Sequence, residues 1–127
     1  MTGCAECSNK ILGSQGEELA VSFLKGLRYR ILERNFRCKG GEIDIVAQDG
    51  ATLVFVEVKS RRTADYGPPQ LAVTPFKQRQ ISKAALTWLA SRRKLDSGAR
   101  FDVVAITFKS GGDPQVEHFV NAFELNY

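Results

Sequence analysis

Apolar positions along the chain change from helical to strand spacing and back, which predicts a domain of α/β type. Residues 14–26 repeat apolar side chains at the spacing of a helix with one buried face. Residues 75–91 do the same, and Thr74-Pro75 is a capping residue followed by the residue favoured at a first helical position. Strand patterns cover residues 29–34, 42–47, 52–60 and 101–108, and residues 116–123 are typical of a last edge strand.

The order of these elements predicts one α/β domain over residues 14–127, in the order α-β-β-β-α-β-(β), after a flexible lead-in at residues 1–13. Loops are expected at residues 37–41, which end in a glycine pair, and at residues 63–75, which contain one glycine and three prolines. A chain of 127 residues suits a single domain, and its 43% hydrophobic and 25% charged residues are typical of a folded globular protein.

The segment 42–60 has the most informative pattern, because Asp49-Gly50 is a strong hairpin-turn signal between two strands. With a two-residue turn at these positions, Gln48 pairs with Ala51 and Asp44 lies opposite Phe55. Side chains alternate across a sheet, so one face should be wholly apolar and buried: Ile43, Ile45, Ala47, Val54, Val56 and Val58. The other face should carry acids and a lysine among apolar residues: Glu42, Asp44, Val46, Leu53, Phe55, Glu57 and Lys59.

Asp44 and Glu57 are expected as diagonal neighbours on that second face, where their carboxylates repel each other. Their pKa values should rise unless a cation lies between them, and Mg²⁺ suits because it prefers oxygen ligands. Lys59 on the same face would orient a water molecule, lower its pKa or stabilise negative charge developing on a phosphate. Alternatively, Lys59 forms a structural ion pair with Glu57 or Asp44.

Glu17 is the acid of the first helix that we expect to face the sheet. It borders the apolar stripe together with Ala20, Val21 and Leu24, whereas Glu18 points away. The alternative is an acid that is favoured only by the dipole at the helix N-terminus.

The net charge of +4 hides an uneven distribution. Residues 59–94 contain nine Lys and Arg against one Asp, so this segment alone has a charge of +8. Such a segment would bind the phosphates of a nucleic acid backbone, or it is simply a solvated surface. The candidates for phosphate contact are Arg61, Arg62, Lys77, Arg79 and Lys83.

The three cysteines and the absence of long apolar runs indicate the compartment. An odd number of cysteines at irregular spacing predicts no disulfide framework and favours the cytoplasm. No run approaches the roughly 20 apolar residues of a membrane span, so no membrane partner is expected. Cys4 and Cys7 would need Cys38 and His118 to complete a zinc site, and otherwise they are exposed thiols in the lead-in.

Two motifs in the hairpin resemble the PD-(D/E)xK nuclease superfamily. They are Gly41-Glu42-Ile43-Asp44, which has Ile43 in place of the proline of the superfamily's name, and Glu57-Val58-Lys59. Upstream, Gly13-Ser14-Gln15-Gly16-Glu17 is similar to the Gly-x-x-x-Glu of archaeal Holliday junction resolvases. A closer resemblance, to the bacterial YraN-like proteins, covers nearly the whole chain through residues 16–20, 33–37, 41–46, 55–61 and 74–79.

The resemblance implies a restriction-endonuclease-like fold, in which a central mixed sheet has a helix on each side. It further implies a metal site formed by Asp44, Glu57 and the carbonyl of Val58, with Mg²⁺ as the cofactor and Mn²⁺ as a substitute. Lys59 would activate or position the attacking water, and Glu17 would assist from the first helix. Gln78 would lie near the site and so joins the nucleic-acid-binding candidates, whereas Glu42 has no clear counterpart.

The function implied is a metal-dependent endonuclease that hydrolyses DNA phosphodiester bonds. No residue set suggests base readout, so the resemblance to resolvases favours selection of branched or junction DNA. A homodimer would suit that subtype, which has to cut two strands symmetrically. The alternative is a non-catalytic module on the same fold that binds DNA or recruits partners, and a weaker one is an interaction protein that docks through Tyr66-Gly67-Pro68-Pro69.

Overall fold

The computed structural model describes residues 5–62 and 73–125, with side chains from residue 12 onward. The helices and strands follow the predicted order α-β-β-β-α-β-β. In chain order they are α1 (Ala5–Gly26), β1 (Arg30–Cys38), β2 (Gly41–Asp49), β3 (Thr52–Arg61), α2 (Pro75–Ser91), β4 (Ala99–Thr107) and β5 (Gln115–Phe123). The α/β class and the last strand, which the pattern only suggested, are thereby confirmed.

The five strands form one mixed sheet in the order β1-β2-β3-β4-β5. Three neighbouring pairs are antiparallel, and only β3 and β4 run parallel. Parallel neighbours need a crossover connection, and α2 lies in this crossover. The edge position expected for residues 116–123 is confirmed, because β5 pairs with β4 alone.

One helix covers each face of the sheet. On one face α1 packs Ala20 and Leu24 against Val54, Val56 and their neighbours. On the other, α2 packs an apolar stripe that includes Trp88 against the buried ring of Phe55. Because both faces are covered, the central strands are apolar on both sides, which explains the short uninterrupted apolar runs of β3 and β4. Neither described helix has the length and apolar character needed to cross a membrane.

The first helix is longer than the sequence pattern indicated. We expected it over residues 14–26, but the helical backbone already begins at Ala5. Residues 5–12 contain no proline or glycine, and the isolated Gly13 is tolerated inside a helix. The division into a flexible lead-in and a domain from residue 14 stays a prediction.

The hairpin between β2 and β3 turns one residue later than expected. Asp49 pairs with Thr52, so the turn residues are Gly50 and Ala51, and Gly50 has a φ of 60° that glycine adopts without strain. Both versions of the turn have two residues, so the same side chains share a face. The strands are nevertheless shifted against each other, and the predicted pairing of Asp44 with Phe55 is wrong. Phe55 pairs with Val46 instead.

The predicted apolar face is correct except at one position. Ile43 packs in the cluster beneath α2 and not with its expected partners beneath α1. The β2–β3 ladder ends at the pair Ile45–Val56. Ile43 lies beyond this pair, where the regular alternation of side chains between the two faces of the sheet no longer determines which face a residue occupies. The expected members that do pack beneath α1 are Ile45, Ala47, Val54, Val56 and Val58.

The connection between β1 and β2 is shorter than predicted. We expected a loop over residues 37–41, but β1 extends to Cys38, which pairs with Gly41. The turn packs closely on α2, because a Cβ atom added at Gly40 would lie 3.1 Å from Cβ of Lys83. A Cβ atom at Gly41 would overlap the backbone carbonyl of Gln80. Residues 63–72, with the suggested docking segment at residues 66–69, lie outside the described residues.

A cluster of polar side chains surrounds Asp102 on β4, which is fully buried. Burial alone would raise the pKa of Asp102, but hydrogen bonds from His118, Arg100 and the backbone N–H of Asn121 hold it below its ordinary value. His118 also contacts the ring of Phe23 on the α1 side. Cys38 packs on the α2 side, so among the described side chains the suggested zinc ligands do not come together.

Replacing Gly41 with alanine is expected to lower the free energy of unfolding by about 1–3 kcal/mol. The new methyl group would meet the Gln80 carbonyl, a backbone atom of α2 that cannot rotate away. Gly98→Ala is the matched control, because no atom lies within 4 Å of a methyl group placed there. Urea unfolding compares the two variants, and equal stability would contradict the close packing of the turn on α2.

Candidate functional site

Asp44 and Glu57 meet where β2 and β3 separate. The ladder between the strands ends at Ile45–Val56, and the next residue on each strand is one of these acids. Beyond the ladder, the backbone N–H of Val58 donates to Asp44 Oδ2 over 2.8 Å, in place of a backbone partner. Glu57 is only 4% exposed. The half-buried Asp44 and the buried Glu57 therefore form a pair, closer together than the diagonal arrangement predicted from the sequence.

The neighbouring carboxyl of Glu57 changes the protonation of Asp44. Burial, followed by the charge and hydrogen bond of Glu57, raises the pKa of Asp44 to about 8. The N–H of Val58 and the charge of Lys77 act in the opposite direction without reversing the shift. At neutral pH the carboxyl of Asp44 is therefore mostly protonated. A cation that binds both carboxylates would displace that proton, so metal affinity should increase with pH.

Two lysines flank the same oxygen of Glu57. Lys59 Nζ lies 3.7 Å and Lys77 Nζ 3.8 Å from Glu57 Oε2. The ion pair between Lys59 and Glu57 that we considered as an alternative is thus present. Both distances exceed those of a good hydrogen bond, so neither ammonium is tightly held.

Lys77 belongs to the acid pair, although we expected it only at a phosphate-binding surface. It lies four residues before the buried Ile81, so it extends from the side of α2 that faces the sheet. This spacing is visible in the sequence, and it would have placed Lys77 near the acids.

Glu17 points toward the sheet, as its position in the helix predicted. Its side chain is 22% exposed, against 66% for Glu18. Burial and the nearby charge of Asp44 raise the pKa of Glu17, while Asn35 and Arg34 lower it. The first helix therefore brings a third carboxyl within electrostatic range of the acid pair.

Gly16, Arg34 and Asn35 fix Glu17 in this position. A Cβ atom at Gly16 would overlap the hydroxyl of Ser60 on β3, so the glycine allows α1 to approach the sheet closely. Arg34 Nη2 lies 3.7 Å from Glu17 Oε1, and the Asn35 side chain hydrogen-bonds to the same carboxyl. We did not predict Arg34 or Asn35 as site residues. Their only sequence signal was membership of the family segment at residues 33–37.

The basic candidates near the end of β3 differ in their freedom to bind a ligand. Arg61 is half-buried, and its Nε donates to Thr107 Oγ1 over 3.3 Å. Arg62 is exposed and lines a cavity of about 290 Å³ together with Phe108 and Lys109. Of these two arginines, Arg62 is the more available for an anion.

The remaining candidates lie on α2. Gln78 Nε2 donates a hydrogen bond to the carbonyl of Val73 over 3.0 Å, so its side chain is bound to the residue before the N-cap of α2. Arg79 and Lys83 are exposed, and Lys83 lies beside Gly40 of the β1–β2 turn. Of the six candidates, Lys77 is the one with a described ion pair to Glu57, and the role of all six in binding nucleic acid stays a prediction.

Glu42 is separate from the acid pair. Its carboxylate forms an ion pair with Arg37, whose Nε lies 3.2 Å from Glu42 Oε2, and both side chains are exposed. Glu42 lies beyond the end of the β2–β3 ladder and pairs with Arg37 of β1.

The acid pair fits a small cation that prefers oxygen ligands. Within residues 12–62 and 73–125, no three or more His, Cys, Asp or Glu side chains gather into a complete metal-binding group. Mg²⁺ does not need one, since it is commonly held by one or two carboxylates together with waters and substrate phosphates. Asp44 and Glu57 supply such a pair, and Val58 is the backbone residue beside it.

Asp44→Asn is expected to make the metal-free protein more stable at alkaline pH. Because the pKa of Asp44 is raised from 3.8 to about 8, folding becomes less favourable as pH increases through this range. The amide has no charge and still accepts the hydrogen bond of Val58, so at about pH 9 it should add about 1 kcal/mol or more to stability. Thermal unfolding in a chelator measures the difference.

Glu42→Gln is the control for Asp44→Asn, because it removes an exposed carboxylate of the same strand. It should leave the dependence of stability on pH between about 4 and 8 unchanged. A wild-type protein as stable as Asp44→Asn at about pH 9 would contradict the repulsion within the acid pair.

Comparisons with known proteins assign the chain to a family. The uncharacterised protein family UPF0102 matches residues 16–106. A UPF0102 protein of Geobacter metallireducens is 72% identical over 119 residues, which cover 94% of this chain and 97% of the relative. One of Geotalea daltonii is 62% identical over the full length of both chains. The expected relationship is thus confirmed, and the chain belongs to the uncharacterised protein family UPF0102, the YraN-like proteins.

Proposed function

We propose that this protein is a metal-dependent endonuclease that hydrolyses phosphodiester bonds of DNA. The proposal rests on one observation, the pairing of the half-buried Asp44 with the buried Glu57, with two lysines beside Glu57. A carboxyl whose pKa is raised by burial and by a neighbouring acid, as that of Asp44 is, destabilises the fold when ionised, and such groups concentrate at functional sites. The resemblance of the motifs at residues 41–44 and 57–59 to PD-(D/E)xK nucleases gives the chemical direction.

Asp44, Glu57 and the carbonyl of Val58 would hold Mg²⁺, with Mn²⁺ as a substitute. The N–H of Val58 donates to Asp44, and the N–H and C=O of one strand residue face the same neighbouring strand. The Val58 carbonyl is therefore on the side of the acids. When bound, the ion supplies Lewis-acid stabilisation of negative charge on a phosphate oxygen.

Lys59 would position the attacking water and stabilise charge on the phosphate. Its long contact with Glu57 Oε2, 3.7 Å, leaves the ammonium able to turn toward a phosphate oxygen at little cost. Lys77 approaches the same carboxylate oxygen from α2, so it would neutralise a second part of the phosphate charge. Glu17 would add a carboxyl from the opposite side and help to orient the water.

The protein would bind the DNA through its phosphate backbone, because the exposed Lys and Arg residues near the site do not form a set suited to hydrogen bonding with base edges. Arg62, Arg79 and Lys83 are exposed and suit phosphate contacts. Selection of branched DNA, action as a homodimer and a cytoplasmic location are further parts of this proposal. Likeness to resolvases supports the first two, and the cysteine pattern supports the third.

A second candidate function is binding of DNA without cleavage. One observation favours it, because the ammonium groups of Lys59 and Lys77 lie 3.7 and 3.8 Å from Glu57 Oε2, close enough to neutralise that carboxylate by themselves. In a binding module these ion pairs would be purely structural, and the acid pair would have no ligand.

Cleavage of linear, forked and four-way DNA in Mg²⁺ or Mn²⁺ separates the two functions. Wild-type protein should cut at least one substrate, and Lys59→Ala should be slower by about 100-fold or more, because charge stabilisation is lost. Asp44→Ala should be inactive. Lys25→Ala, an exposed lysine in the last turn of α1, is the control and should keep full activity. Activity that survives both site substitutions would come from a contaminant and would refute the nuclease assignment.

Titration calorimetry with Mn²⁺ tests the metal site without any substrate. Wild-type protein should bind one ion more tightly at about pH 8 than at about pH 6, because the proton of the acid pair competes with the metal. Glu57→Gln should weaken binding by about 10-fold or more, whereas Glu42→Gln should not change it. Identical binding by wild type and Glu57→Gln would remove the acid pair from the metal site.

A further inference from the structure

We propose that the cavity between the β1–β2 turn and α2 binds a phosphate of the DNA backbone, next to the phosphate at the acid pair. The inference deepens the proposed function and rests on it for the identity of the ligand. The cavity has a volume of about 280 Å³. Its polar lining consists of Arg37, Lys39, Glu42, Lys77 and Gln80, and Gly40 and Gly41 form part of its wall.

The lining is suited to an anion. Three cations and one acid face the cavity, so its net charge is positive. The acid, Glu42, is paired with Arg37, but these side chains are 47% and 76% exposed, and such a pair contributes little stability. Arg37 is therefore able to exchange Glu42 for a phosphate, to which a guanidinium can donate two parallel hydrogen bonds.

Lys77 connects this cavity with the acid pair. It lines the cavity, and its Nζ also lies 3.8 Å from Glu57 Oε2. A backbone with one phosphate at Asp44 and Glu57 would thus bring a neighbouring phosphate to the same lysine. The cavity extends the site toward the β1–β2 turn, and its lining differs from that of the cavity beside Arg62.

The β1–β2 turn that lines the cavity packs closely on α2. Gly41 packs against the backbone carbonyl of Gln80, and Gly40 packs against the Lys83 side chain, so the turn and α2 together form the wall of the cavity. Lys39 lies at the tip of this short turn and is exposed. A lysine on a short, packed turn loses less freedom when it contacts a phosphate than a lysine on a long unpacked loop would.

The test measures binding of a fluorescently labelled DNA duplex by fluorescence anisotropy. EDTA is present to remove divalent metal ions, so that the DNA is not cleaved during the titration. Lys39→Ala should weaken binding by about threefold or more and reduce the slope of log affinity against log salt by about 1. Arg37→Ala should act similarly. Lys94→Ala is the matched control, because Lys94 is also exposed but follows the opposite end of α2. It should retain the wild-type slope, and all variants should unfold at the wild-type temperature.

Equal slopes for Lys39→Ala, Lys94→Ala and wild type would overturn the phosphate site, as would absence of DNA binding by wild type at low salt. A parallel titration with an RNA duplex identifies the ligand, and a loss confined to RNA would overturn the assignment to DNA. Failure of the proposed function is distinguishable from these results. A protein that never cuts DNA but loses salt dependence on Lys39→Ala would keep the phosphate site and lose the nuclease.

Discussion

The separation of β2 from β3 after the pair Ile45–Val56 is the constraint on which the rest of the site depends. Up to that point the backbone groups of the two strands pair with each other. Beyond it, the N–H of Val58 requires another acceptor, and the carboxylate of Asp44 takes this position. The side chain that completes the hydrogen bonding of the strand is therefore the same one that meets Glu57. Structure and chemistry are coupled at a single carboxylate.

Both helices are positioned with respect to this opening. On one face, the lack of a side chain at Gly16 lets α1 lie close to β3, and Glu17 consequently comes within range of Asp44. On the other face, the early turns of α2 direct Lys77 toward Glu57. The acid pair thus receives a carboxyl from one helix and an ammonium from the other. A sheet with only one covered face would not bring these opposite charges to the same place.

The distribution of positive charge acquires a different meaning in three dimensions. The basic segment at residues 59–94 is divided among the end of β3, the acid pair and the exposed side of α2. Arg37 and Lys39 lie outside that segment, yet they share a cavity with Lys77 because the β1–β2 turn packs on α2. Proximity in the fold, and not proximity in the sequence, determines which cations act together on an anion.

Sequence patterns alone determined the α/β class, the order of elements, the limits of α2 and the residues that share most of one sheet face. These features depend on local periodicity and capping, such as Thr74-Pro75 before α2. They also identified Asp44, Glu57 and Lys59 as neighbours. This prediction does not depend on the exact position of the turn, because any two-residue turn leaves the same side chains on the same face of the hairpin. The sequence pattern does not predict the earlier start of α1, because residues 5–13 lack a clear apolar stripe, although they contain no residue that would end a helix.

Only the tertiary structure decided the hairpin register, the direction of Ile43 and the partners of Glu17 and Glu57. The register depends on which residue occupies the first turn position, and both Asp49-Gly50 and Gly50-Ala51 allow a two-residue turn. Arg34 and Lys77 reach the acids from elements distant in sequence. Local patterns contain no information on such distances, because they arise from packing of both helices on one twisted sheet.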